Sequence, residues 1–164
     1  MINYIEKGLG LHTAIRDAGY ALTQKNNIWV SSDDTAVQVI IDNYDQVPVL
    51  RAELKAKLVI DSQDFVNEAI LKQYPKFEVD TWQNQLRDAN SYIADNNATV
   101  PTLEALATQR SITKLDTANK ILSKAAVFEA FSGKQAGERQ RLEDLIDDAE
   151  TVAELNAIPK FAGV

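Results

Sequence analysis

The sequence predicts a mainly α protein: a C-terminal antiparallel helical bundle or set of hairpins, preceded by a small α+β module with a β-hairpin. Two observations predict it. From Val49 almost to the end, apolar residues recur at helical spacing, whereas the opening residues alternate short β-prone runs with short helical ones. The expected division is 1–46 for the module and 47–164 for the helical domain.

The elements follow in order. Asn3-Tyr4-Ile5 is a short strand candidate before Gly8 and Gly10. Leu11 to Ala18 has room for about two helical turns, ended by Gly19. Tyr20–Thr23 and Ile28–Ser31 flank Lys25-Asn26-Asn27, and two β-prone runs about a polar turn read as a hairpin. Ser31 to Asp34 supplies an N-cap, and Ala36, Val37, Ile40, Ile41 and Tyr44 share one face of the helix that follows. Pro48 then breaks the chain. Leu50, Leu54 and Leu58 open a new stripe that continues through Phe65, Ile70 and Tyr74 to Pro75. Asp61-Ser62 fits either a cap between two helices or the interior of one.

Asp80, with Gln83 three residues on, reads as the start of the next helix, whose stripe is Trp82, Leu86, Ala89 and Ile93. Asp95-Asn96-Asn97 ends it. Pro101 opens a short helix reaching about Arg110. Thr113 and Asp116 cap a long helix lined by Ala118, Ile121, Leu122, Ala125 and Phe128, with Gly133 and Gly137 interrupting a polar stretch. Thr151 and Glu154 form a capping box, and Pro159 closes the last turn. A weak echo at an offset of 30 (Ser32, Asp34, Ile40, Tyr44 against Ser62, Asp64, Ile70, Tyr74) is what two capped amphipathic helices produce by themselves.

Composition narrows the chemistry. There is no cysteine, which excludes disulfides, thiolate metal sites and cysteine nucleophiles. The net charge is −7, with −3 over 1–46 (three basic, six acidic residues) and −4 over 47–164 (14 against 18). Neither part carries the basic footprint that nucleic acid demands. No apolar run approaches a membrane span, and no signal-peptide core opens the chain.

No catalytic, cofactor or metal residue is assigned. His12, the single histidine, has Asp17 five positions on and off its helical face, so packing or surface exposure outweighs general-base chemistry. Gly8-Leu9-Gly10 lacks the third glycine and the G-K-[ST] of phosphate loops and reads as a turn. The pairs Asp33-Asp34, Glu143-Asp144 and Asp147-Asp148 fall at caps and on polar faces. Residues 103–122 have the outline of a helix-turn-helix with Lys114, Lys120 and Lys124 on the second helix, against an acidic chain. Phe128, Phe131, Trp82 and Tyr92 fit a partner or a core, with core the default on a helix stripe; for contact with a partner, Tyr4, Trp29 and Phe131 are the candidates. Trp29 stands out because a small hairpin has few places to hide an indole.

Two tracts carry a family resemblance. Tyr4 to His12, Ala18-Gly19, Trp29 to Asp34, Ala36-Val37-Gln38 and Ile41 to Asp45 are similar to the start of small tailed-phage proteins. The tract Trp82 to Ile158 resembles a helical domain of unknown function found in phage tail fibre and tail fibre assembly proteins. It does so through Trp82, Ala94-Asp95, Thr99 to Thr102, Ala107, Arg110, Lys124-Ala125, Gly137-x-Arg139-Gln140, Leu145-Ile146 and Thr151 to Leu155. That pattern often has glycine after the arginine, where this chain has Ser111. The resemblance implies a non-enzymatic structural or attachment role at a tail fibre or baseplate, in the virion and assembled in the host cytoplasm. It implies other tail proteins as partners and a homo-oligomer, with no catalytic residue to carry over. An assembly chaperone is one alternative. From the residues alone, a DNA-binding regulator using 103–122 is a second, and an enzyme with an all-carboxylate metal site a third.

Overall fold

The computed structural model describes residues 2–4, 7–26 and 28–164, the side chain of Leu9 excepted. The fold is mainly α with a small α+β module. Its elements are α1 (Leu9–Asp17), β1 (Leu22–Lys25), β2 (Ile28–Ser31), α2 (Asp34–Asn43), α3 (Val47–Ala69), a 3-10 turn (Leu71–Gln73), α4 (Lys76–Ala94), α5 (Pro101–Gln109), α6 (Lys114–Asp148) and α7 (Val152–Ala157). Two compact units result. Unit 1 comprises 1–57 and 143–159; unit 2 comprises 58–142 and 160–164. Unit 1 thus takes in the whole expected 1–46 module and adds the start of α3, the end of α6 and α7.

In unit 1, α1 ends in a Schellman motif: Gly19 at φ +87 lets its N–H reach Arg16 O, while Tyr20 N–H donates to Ile15 O. This closure uses Tyr20, so the hairpin starts at Leu22 rather than Tyr20. The antiparallel register runs from Leu22↔Ser31 to Lys25↔Ile28. Asn26 turns the corner at φ +50, a conformation asparagine tolerates; Asn27 lies outside the described residues. Asn3 and Tyr4 are not in a strand. The Asn3 N–H donates instead to Gln38 Oε1 at 2.6 Å, a side-chain partner in place of a ladder. Ile5 of that expected strand is outside the described residues. Asp33 caps α2 by accepting from the N–H groups of Thr35 and Ala36. Leu11 and Ile15 from α1 and Val37 and Ile41 from α2 are fully buried and form the core, with Ile2 beside them.

The expected break falls at 44–46, between α2 and α3. Pro48 itself sits in the first turn of α3, where its missing N–H costs no intrahelical bond. The Asp61-Ser62 question resolves as one continuous helix. The Ser62 hydroxyl donates to Val59 O within it. The α6 carbonyl end is closed from α3: Arg51 donates through Nε to Ile146 O (3.2 Å) and through Nη2 to Ala149 O (2.7 Å). Lys55 adds an ion pair with Asp147. The α7 capping box forms as expected, and Leu155 is buried behind it.

In unit 2, α4 starts at Lys76, one turn earlier than Asp80 suggested. Pro75 fixes the extended entry, and Asp80 instead pairs with Lys76 across one turn. The core gathers Ala89, Val100, Leu103 and Ala118, with Tyr92, Ile121 and Leu122 packed on it. The α5 helix has Val100 at its N-cap and no side-chain cap of its own. Asp88, 2% exposed on α4, supplies one: its Oδ2 accepts from Thr102 N–H (2.8 Å) and Leu103 N–H (3.4 Å). Its Oδ1 accepts from both Nε and Nη2 of Arg87. Burial pushes the Asp88 carboxyl up, but the Arg87 hydrogen bonds and the two N–H groups outweigh it, and the net shift is down.

Gly133 and Gly137 do not interrupt α6, which runs unbroken for 35 residues. Nothing lies within 4 Å of a Cβ built on either glycine. Two exposed glycines cost the helix about 1 kcal/mol each, too little to break one anchored by packed residues on both sides. The C-terminal strip joins this unit. Gln135, 3% exposed, pairs its amide with the backbone of Val164 in both directions, and Phe161 packs edge-on to Phe65.

Candidate functional site

The candidate site is a groove in unit 2 between α4 and α6. Tyr74 leaves the 3-10 turn in an extended conformation that Pro75 enforces, which turns its ring toward α4. The Tyr74 and Trp82 rings meet edge to face (5.2 Å, 82°), as do Trp82 and Phe128 (5.5 Å, 70°). Ile70, Leu86 and Ile121 complete an apolar lining around a cavity of about 390 Å³, a size that suits a ligand or a pair of large side chains. Glu78, Glu129, Gln83, Gln85 and Ser123 add polar groups to the lining, and Val127 forms an apolar lip that is 68% exposed. Lys124 lies over the Tyr74 ring at 5.9 Å. The arrangement can bind an apolar surface. It brings no nucleophile–base pair together.

The sequence singled out other residues. Tyr4 and Trp29 are half-buried and packed against the unit 1 core, their centroids 4.7 Å apart. His12 is exposed on α1, edge-on to both rings, with Nδ1 3.1 Å from the Tyr4 hydroxyl. Phe131 is half-buried in unit 2, its ring stacked on Phe65 at 6.3 Å. The structure therefore joins Tyr4 to Trp29 and places Phe131 in a separate aromatic group. The helix-turn-helix outline falls on α5, a corner with Ser111 at φ +53, and the first turns of α6. Lys114 lies over the Tyr92 ring at 5.6 Å. Among the described residues, no three His, Asp or Glu side chains are grouped to hold a metal ion. No described helix is long and apolar enough to cross a membrane.

Of the groove residues, Trp82 and Phe128 read in the sequence as core or partner residues with core the default, and their meeting with Tyr74 was not legible, since Tyr74 and Trp82 lie either side of a proline. The Asp88 cap has a faint signal: Val100-Pro101 opens a helix with no capping side chain, so an acceptor from elsewhere is required for its free N–H groups.

Residues 123–159 match the family described as the HI1402 helical domain. They cover α6 from residue 123 to its end and all of α7, a minority of the chain. Within the match, Arg141 holds Glu138 in a bidentate pair at 2.8 Å, and that hydrogen bonding lowers the Glu138 carboxyl below its usual range. No curated protein and no solved structure matches the chain.

Proposed function

We propose that this is a non-enzymatic, tail-associated phage protein that acts by protein–protein contact at a tail fibre or baseplate. The observation that carries the contact role is the open aromatic groove of unit 2, where Trp82 and Phe128 line space that the chain itself does not fill. The tail assignment is supported by the resemblance of 4–45 and 82–158. The matched helical family covers the last part of the second tract, and its description names no tail. In this reading the partners are other tail proteins in a symmetric assembly, and the chain resides in the virion after assembly in the host cytoplasm.

Mass spectrometry and cryo-EM of purified virions test it. A subunit is present at stoichiometric copy number. An assembly chaperone, the nearest variant of the same reading, is absent from virions but bound to tail intermediates. Absence from both rejects the proposal. The DNA-binding reading of 103–122 draws less support, because Lys114 and Lys124 are already placed over tyrosine rings.

A further inference from the structure

We infer that the α4–α6 groove takes one amphipathic helix from a basic partner protein. This rests on reading the groove as a protein-docking surface, and it goes further by naming the chemistry of the occupant. Shape comes first. The walls are helices, so the lining repeats by the turn: Glu78, Trp82 and Leu86 lie on successive turns of α4. They span about 12 Å at 1.5 Å per residue. That matches the reach of a helix inserting apolar side chains at i, i+4 and i+7. The edge-to-face rings leave a slot for aliphatic or aromatic anchors, and Val127 extends the apolar contact at the lip.

Charge then selects the occupant. The lining carries the carboxylates of Glu78 and Glu129 against one lysine, which sits over Tyr74, and the whole chain is at −7. Such a field attracts a helix whose polar face is lysine- and arginine-rich and repels an acidic one. It also opposes a second copy of this chain, which brings −7 of its own.

The test uses two synthetic peptides with leucine at the same helical positions, one carrying lysine and the other glutamate elsewhere. They are titrated into the full chain with Trp29→Phe, so that Trp82 is the remaining indole. The leucine–lysine peptide should shift Trp82 emission and bind about tenfold more tightly than the leucine–glutamate one. Joint reversal of Glu78→Lys and Glu129→Lys should invert that order. Reversal of Asp144→Lys and Asp148→Lys, which do not line the groove, should leave it. Circular dichroism melts confirm that each variant folds. Three results overturn the inference: no response of Trp82 to either peptide, equal affinity for both, or equal effects of the two reversals. Self-association of the chain alone, abolished by Val127→Asp in analytical ultracentrifugation, would assign the groove to a second copy and overturn it too. These outcomes are independent of whether the chain is found in virions.

Discussion

Both units gather aromatic residues into clusters, and they do so to different ends. In unit 1, Tyr4 and Trp29 lie against the Leu11–Ile15–Val37–Ile41 core and extend it. In unit 2, the Tyr74–Trp82–Phe128 chain stands beside the Ala89–Leu103–Ala118 core and encloses about 390 Å³ of open space. The same residue types thus stabilise one unit and present a surface on the other. The units also close helix ends by opposite means. Arg51 satisfies carbonyls at the end of α6, whereas Asp88 satisfies N–H groups at the start of α5.

The comparison breaks most readily at the two tryptophans. Trp29→Ala should cost about 2–3 kcal/mol in urea unfolding, the lower range for removing a large, partly buried aromatic. Trp82→Ala should cost less, about 1 kcal/mol, because Trp82 lines the open groove. Equal losses would erase the distinction between a packing cluster and a presenting one.

The Asp88 cap sharpens it next. Asp88→Ala leaves the Thr102 and Leu103 N–H groups buried and unpaired, at about 2 kcal/mol. The carboxyl is lowered in the folded state, so its stabilisation is complete above its unfolded value near 3.8. It is lost as pH falls through the lower folded value. An acid titration of stability should therefore fall more steeply for the native chain than for Asp88→Asn; matching slopes would remove the carboxylate from the account.

Gly163→Ala should cost about 1–2 kcal/mol, since φ is +78 and the added Cβ would meet the Phe65 ring. A neutral result would detach the 160–164 strip from unit 2. The smallest effect has the opposite sign. Gly133→Ala should stabilise by about 0.5–1 kcal/mol, as expected for an exposed glycine inside a helix with open space around it. Destabilisation would restore the interruption that the sequence suggested.

Local signals in the chain were readable where the physics is local. The Thr151–Glu154 box, the Asp33 cap and the first-turn Pro101 need only neighbours within one turn. The fold class followed from the periodicities. Helix continuity at Asp61-Ser62 and through Gly133 and Gly137 was not readable, because flanking packing decides it. Arg51 reaches partners 95 and 98 residues away, and no spacing rule announces such a cap. The groove was hidden for another reason. A helix stripe has the same pattern whether a neighbour covers it or leaves it open, so the vacancy beside Trp82 is a property of the fold alone.

The most direct test of the account places a photo-crosslinking residue at Val127, on the lip of the groove, during the tail assembly proposed above. The account predicts a covalent adduct with a tail protein through a basic helical segment. Adducts with no tail protein, alongside efficient crosslinking at the same position to other components, would contradict it.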